Sequence, residues 1–201
     1  MSSLFDHYLL FRLRTKRDEQ AYAELYDRYV SSIYRFVILK VSSKEIAEDI
    51  TAETFLKCWQ FIQTNQVITN FRALLYRVAR NLVIDLYRKS GPYDAGNTVT
   101  FYPVQTSIQI EDDEQIHGFA FSDHARDQMR IEARTDLSLF LAQLGHLKED
   151  YRDVLTLRLI EDLPFADIAK ILEKSPGNTR VIYHRAMRAL QDLNLNAEKK
   201  S

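Results

Sequence analysis

The side chains best suited to chemistry lie between residues 175 and 190, where polar and apolar groups recur at helical spacing. Asn178 and Arg180 stand near the start of that segment, and both can hydrogen-bond two atoms at once. In the DNA major groove an amide matches the edge of adenine in this way, and a guanidinium matches guanine. Arg185 and Arg188, further along the same segment, are better placed to contact phosphate. The pattern predicts a helix that reads DNA.

The flanking residues predict how this helix is held. Pro164 suits the first turn of a short helix that ends near Leu172, and Ser175 with Pro176 suits the start of a second helix. Two helices joined by so short a break form a helix-turn-helix, whose second helix enters the major groove. The residues that we expect to face the core are Thr179, Tyr183, Ala186 and Leu190. Those that we assign to DNA contact are Ser175, Asn178, Arg180, Val181, His184, Arg185 and Arg188.

A second group of charged side chains repeats every four residues, at Glu45, Asp49 and Glu53. Ser42, three residues before Glu45, predicts a capping box that starts a helix running to about Ile62. The carboxylates then share one helix face, which suits either solvent or a basic partner.

Basic and amide side chains recur through a predicted helix from Phe71 to about Lys89. One stripe of it is apolar, and a second carries Arg77, Asn81, Asp85 and Arg88 at intervals of four, four and three. Another helical period runs from Glu19 to Leu39. The first 90 residues therefore predict an all-helical bundle.

Charge is unevenly distributed in this chain of 201 residues, although 27 Lys and Arg nearly balance 28 Asp and Glu. Residues 91–124 hold six acids and no Lys or Arg, with three of the five Gly. Basic residues exceed acids by four both in 71–90 and in 174–191. A long stretch without a helical period predicts a linker between two domains. The two basic stretches indicate nucleic-acid contact, or equally, from charge alone, two solvated helix faces.

Side chains for catalysis or metal binding are not assembled in the sequence. Cys58 is the single Cys, so it can form no internal disulfide, and we interpret it as a small buried hydrophobe. The five His are scattered without metal-ligand spacing, and no Gly-rich phosphate loop is present. We expect no enzyme activity, no cofactor and no metal. No apolar run reaches the ~18 residues of a membrane helix and no signal peptide is visible, which predicts a soluble, cytoplasmic protein.

Four segments together resemble the sigma-70 superfamily, specifically the extracytoplasmic-function (ECF) group of RNA polymerase sigma factors. They are AEDITAETFLKCW (47–59), FRALLYRVARNLVIDLYRK (71–89), LPFADIAKIL (163–172) and SPGNTRVIYHRAMRAL (175–190). The resemblance implies two small helical domains. These are a sigma-2-like bundle in 1–90 and a sigma-4-like helix-turn-helix domain in 131–201, joined by an acidic, flexible linker in 91–130.

The resemblance also implies what each part binds. Asp49, Glu53, Thr54 and Lys57 would dock on the clamp helices of the largest subunit of core RNA polymerase, whose flap region is a further contact. The minus-ten promoter element would be bound by Asn65, Gln66, Asn70, Arg77, Arg80, Asn81, Arg88 and Lys89. The loop 63–70 would capture a flipped base. The helix-turn-helix would read the minus-thirty-five element, where Ile182 replaces a frequent basic residue and so predicts one phosphate contact fewer.

An anti-sigma factor that masks these faces is also implied, with no insertion of the chain into a membrane. Two other functions remain open. A free-standing helix-turn-helix regulator would dimerise and bind duplex DNA without polymerase, and a helical adaptor would show no promoter dependence.

Overall fold

The computed structural model of the chain describes residues 4–16, 18–64, 66–90 and 140–198. Every regular element within these ranges is a helix. In order they are α1 (Leu4–Lys16), α2 (Glu19–Ile38), α3 (Lys44–Gln63), α4 (Phe71–Ser90), α5 (described over 140–145), α6 (Glu149–Leu155), α7 (Phe165–Ile171) and α8 (Pro176–Glu198). A π-helical turn at Thr156–Ile160 continues α6. The predicted all-α fold is confirmed, while the predicted linker lies outside the described residues.

Side chains at the helix starts satisfy backbone N–H groups that have no partner within the helix. Asp18 accepts from the N–H of Gln20 at 3.1 Å at the start of α2. At the start of α3 it is Ser43, with extended backbone, that accepts from the N–H of Ile46 at 3.3 Å. The prediction of Ser42 as the cap was therefore wrong by one residue, because the neighbouring hydroxyl occupies the capping position.

The N-terminal half, residues 4–90, buries one core between α1, α2, α3 and α4. Phe36 of α2 meets Tyr76 of α4 edge to face, with ring centroids 5.2 Å apart. Phe71 and Leu75 of α4 are fully buried in the same core. Helix α1 joins it through Leu9 and two neighbouring leucines. These contacts hold α3 and α4 with one face of each toward solvent.

The C-terminal half, residues 140–198, contains the predicted helix-turn-helix in α7 and α8. Pro164 immediately precedes α7, and Glu173 ends it in the left-handed region with φ of 54°. Ser175 then accepts from the N–H of Asn178 at 3.2 Å, which starts α8. Ala169 is buried where the two helices approach. This turn fixes the direction in which α8 projects.

The two halves are packed against each other. Helix α4 contacts α7, and polar side chains of α2 and α4 meet carboxylates that follow α5 in the chain. The helices that the sequence assigns to DNA contact therefore belong to two halves that touch. This contact covers some of the assigned side chains and leaves others exposed.

Candidate nucleic-acid interface

Helix α8 presents a polar face to solvent and an apolar face to the core. The predicted core positions are buried, with Tyr183 partly covered. The side chains of Asn178, Arg180, Val181, His184, Arg185 and Arg188 are exposed. The exposed Ser175 uses its hydroxyl to cap α8, so its first role is structural. A helix that opens on an exposed amide and guanidinium can present both to base edges.

Two arginines contact one aromatic ring beside the reading face. The guanidinium carbon of Arg180 lies 5.9 Å from the centroid of Phe165, and that of Arg158 lies 5.6 Å from it. Phe165 in turn packs edge to face on Tyr183, with centroids 5.3 Å apart. The cation–π contact therefore favours one orientation of the exposed Arg180 side chain.

Ile182, where the sequence predicts one phosphate contact fewer, is buried. Its side chain is buried in the core between α7 and α8, beside Ala186. A basic residue in this orientation would bury its charge, so the position does not face phosphate here. The isoleucine contributes packing of the two helices.

The carboxylate face of α3 is exposed as predicted. Asp49 and Glu53 both lie in solvent, and Glu53 pairs with Lys57 at 3.3 Å one turn later. Thr54 is a correction, because its side chain is fully buried and its hydroxyl donates to the carbonyl of Ile50 at 2.7 Å. It cannot touch a partner in this structure. Sequence reasoning missed Leu56, whose side chain is 56% exposed on the same solvent-facing surface.

The residues assigned to the minus-ten element divide into two groups. Asn65 lies outside the described residues, while the side chains of Gln66, Asn81, Arg88 and Lys89 are exposed. Asn70, Arg77 and Arg80 instead meet the C-terminal half. The predicted set is therefore only partly open to DNA in this arrangement.

Asn70 is a second correction, because its side chain is buried and already has two partners. Its Oδ1 accepts from the N–H of Ala73 at 2.9 Å and so caps α4. Its Nδ2 donates to Asp167 at 2.7 Å. A residue held in this way offers no free edge to a flipped base.

Arg80 points toward the carboxylates around α6. Its Nε donates to Asp153 at 2.5 Å, and its Nη2 lies 3.1 Å from Glu149 and 3.6 Å from Asp150. Arg77, one turn earlier, lies 3.6 Å from Glu173 in the turn of the helix-turn-helix. Both guanidinium groups thus face acids of the C-terminal half.

Opposite charges and hydrogen bonds outweigh the effect of burial on both sides of this contact. Burial alone would raise the pKa of Asp153, but the adjacent charges of Lys40 and Arg80 outweigh it and hold the pKa below its usual value. Hydrogen bonds to Glu161 raise the pKa of Arg35 above its usual range. The carboxylate of Asp153 and the guanidinium of Arg35 are therefore charged at neutral pH.

Sequence reasoning missed the acids that make these contacts. The sequence does indicate an acidic surface there, because residues 149–167 hold six acids and two basic residues, Arg152 and Arg158. The spacing of these acids does not show which of them the N-terminal half covers. Within the described part of the chain, no cluster of His, Cys, Asp or Glu could hold a metal ion. Among the helices described, none is long and apolar enough to cross a bilayer.

Comparison with known proteins finds two family matches in chain order. The family model "Sigma-70 region 2" matches residues 25–92, and "Sigma-70, region 4" matches residues 137–190. The chain is 27% identical over 177 residues to the ECF RNA polymerase sigma factor BldN of Streptomyces coelicolor, covering 88% of this chain and 61% of BldN. It is 25% identical over 176 residues to SigW of Bacillus subtilis, an ECF RNA polymerase sigma factor, covering 88% of this chain and 90% of SigW.

Two solved structures share the fold. CnrH, in complex with the cytosolic domain of CnrY, matches with a TM-score of 0.65 and 20% identity, covering 96% of this chain and 98% of CnrH. RpoE of Bartonella quintana, crystallised with the anti-sigma factor NepR, matches with a TM-score of 0.58 and 20% identity, covering 85% of this chain and 94% of RpoE.

Proposed function

Because this chain belongs to the sigma-70 family of RNA polymerase sigma factors, we propose that it is a transcription initiation factor that binds core RNA polymerase and directs it to specific promoters. In this proposal the chain itself catalyses no reaction, because the polymerase is the enzyme. The two family matches in chain order, each on a half with an exposed polar helix face, are the observation that carries the proposal. Core RNA polymerase and promoter DNA both lie in the cytoplasm, and the proposal places the protein there.

Each half is assigned one promoter element. Helix α3 docks on the polymerase clamp helices through Asp49, Glu53 and Lys57. Helix α4 binds the minus-ten element, and α8 reads the minus-thirty-five element through Asn178 and Arg180. The domain limits of 1–90 and 131–201, with the acidic linker of 91–130 between them, belong to the same proposal.

An anti-sigma factor is the proposed inhibitor of this chain. The support is the family itself, together with the fold shared with RpoE of Bartonella quintana, which was crystallised with such a partner. Two exposed surfaces, on α3 and on α8, are available to be masked.

The test is co-elution of the purified chain with bacterial core RNA polymerase on a sizing column, followed by run-off transcription from a randomised promoter pool. Stoichiometric co-elution with selective initiation is expected, and the selected promoters give the two elements. Tight duplex binding by a dimer, with no co-elution, would instead support the free-standing helix-turn-helix regulator. Binding to other proteins without any promoter dependence would support the adaptor.

A further inference from the structure

We propose that Phe165 is a positioning residue for promoter recognition, whose aromatic ring orients the guanidinium of Arg180 toward a base edge in the minus-thirty-five element. The ring makes no base contact of its own and acts through Arg180. This inference rests on the proposed function, because it names a residue that sets sequence preference there. It adds a position on α7 to a reading surface otherwise formed by Ser175 and α8.

Phe165 lies where the two helices of the helix-turn-helix meet beside the reading face. It is the first residue of α7, and its half-buried ring packs edge to face on Tyr183 of α8, with centroids 5.3 Å apart. Both rings also pack against the core of this half. The Phe165 ring is therefore held in place by packing between α7 and α8.

Arg180 meets this ring with its hydrogen-bond donors unoccupied. Its guanidinium carbon lies 5.9 Å from the centroid of Phe165, and its side chain is exposed. Among the residues that the structure describes, Arg180 forms no hydrogen bond and no ion pair. A cation–π contact uses the charge of a guanidinium and leaves its N–H donors available. The contact thus favours one orientation without using the groups that would bind a base.

Arg158 shares the ring, but it is tied to its own segment. Its guanidinium carbon lies 5.6 Å from the centroid of Phe165. Its Nη1 donates to Asp162 at 3.0 Å and to the carbonyl of Leu163 at 3.1 Å. These bonds hold Arg158 beside the turn that precedes α7. Of the two arginines on this ring, Arg180 is the one that stands on α8 with its donors unoccupied.

Recognition of guanine by an arginine depends on orientation. Paired donors reach two acceptors of guanine at once when the guanidinium plane lies along the base edge. An exposed arginine samples many rotamers, and restricting them costs free energy when DNA binds. A ring that favours one orientation in the free protein lowers this cost for the matching base and leaves phosphate contacts unchanged. Phe165 therefore affects sequence preference more than overall affinity.

The test measures sequence preference with holoenzyme assembled from the full chain and core RNA polymerase. The promoter pool is randomised at the minus-thirty-five element, and the promoters that the holoenzyme retains are sequenced. Phe165→Leu removes the ring, whereas Phe165→Tyr keeps it. The matched control is Phe140→Leu, which makes the same change at a partly buried ring of α5 in the same half. Circular dichroism checks that all three variants keep the helical content of the unmodified chain.

We expect Phe165→Leu to weaken the preference at one base position by about two- to fivefold, the size of one exposed cation–π contact. Phe165→Tyr should retain the preference, and Phe140→Leu should leave it unchanged. Retention of the randomised pool as a whole should not fall, because phosphate contacts dominate it. A preference unaffected by Phe165→Leu, or weakened equally by Phe140→Leu, would overturn the proposal.

A double-mutant cycle with Arg180→Ala shows whether Phe165 acts through Arg180. In the Arg180→Ala background, Phe165→Leu should have no further effect on the preference at that base position. An effect that persists there would overturn the proposal, since the ring would then act by direct DNA contact or by packing alone. An unchanged preference in the Arg180→Ala chain would overturn it too, because Arg180 would not read a base.

A measurement without polymerase separates this inference from the proposed function. Heteronuclear NMR of the isotopically labelled full chain observes arginine Nε–H groups, and Arg180→Lys identifies the Arg180 signal. The ring current of Phe165 shifts this signal, so Phe165→Leu should move it while Phe140→Leu leaves it in place. A signal insensitive to Phe165→Leu would overturn the positioning contact. Loss of co-elution with polymerase would instead remove the proposed function and leave the contact measured.

Discussion

The side chain of Asn70 joins the two halves of the protein, donating through Nδ2 to Asp167 at 2.7 Å across 97 residues of sequence. The other end of the same amide accepts from the N–H of Ala73 and starts α4. Arg72 binds the second oxygen of Asp167 at 2.6 Å. The first turn of α4 and the first turn of α7 are therefore fixed by one small polar group.

Replacement of Asn70 by Asp separates these two roles. A carboxylate caps a helix as well as an amide, so the start of α4 should be preserved. It cannot donate to Asp167, and two carboxylates at hydrogen-bond distance repel each other. We expect Asn70→Asp to expand the chain in small-angle scattering at neutral pH, without a change in helical content.

Asn70→Ala is the control for that experiment, because it loses both bonds without adding a charge. We expect it to lower the free energy of unfolding by about 1 kcal/mol through loss of the cap. If Asn70→Asp is as compact as the unmodified chain, Asp167 does not hold the halves together through this residue.

The docking face of α3 is tested by Asp49→Lys. Asp49 is exposed and makes no contribution to the core, so the variant should fold normally. A lysine there faces a basic partner surface with like charge, which costs several kcal/mol at an interface. We expect co-elution with core polymerase to be abolished.

Asp85→Lys makes the same charge change on α4, where Asp85 is exposed and pairs within its own helix. This control should co-elute normally. Normal affinity of the Asp49→Lys chain would remove Asp49 from the docking face and, with it, the main support for α3 as the docking helix.

Cys58 gives a prediction about alkaline pH. Its thiol is fully buried in α3, and burial raises its pKa from 9.0 to about 12. The unfolded chain ionises this thiol near pH 9 while the folded chain does not, so stability falls as pH rises between the two values. By pH 10 the loss should be about 1 kcal/mol.

Denaturant unfolding at pH 8 and pH 10 measures this effect, and Cys58→Ala isolates it because the buried tyrosines act equally in both chains. The alanine chain should lose about 1 kcal/mol less over that interval. A thiol reagent at pH 8 should react only at the rate of unfolding. Rapid modification of the folded chain, or equal pH dependence in both chains, would contradict the buried assignment.

Local signals in the sequence were sufficient for the elements that carry the reading surfaces. Ser175 and Pro176 predict the start of α8, and helical spacing predicts which of its side chains face outward. The same spacing placed Asp49 and Glu53 in solvent. These features depend on residues within a few turns, so a sequence pattern contains them.

Other features depend on tertiary packing and could not be read from spacing. Helix α1 was not predicted because Tyr8 and Phe11 are exposed while Leu9 and Leu13 are buried, so apolar side chains surround it and give no single stripe. Thr54 has polar chemistry but satisfies it within its own helix. The contact of Arg80 with Asp153 joins segments 73 residues apart, which no local period reveals.

The reading face of α8 is tested by Arg180→Ala. Arg180 is exposed near the start of the helix and is oriented by Phe165, which suits a bidentate contact with a guanine edge. We expect a loss of roughly 1–3 kcal/mol in minus-thirty-five recognition and relaxed preference at one base position, measured by run-off transcription from the promoter pool. Arg158→Ala is the matched control, because Arg158 contacts the same ring from outside α8. A promoter preference unchanged by Arg180→Ala, or relaxed equally by Arg158→Ala, would assign Arg180 to packing on Phe165 instead of base recognition.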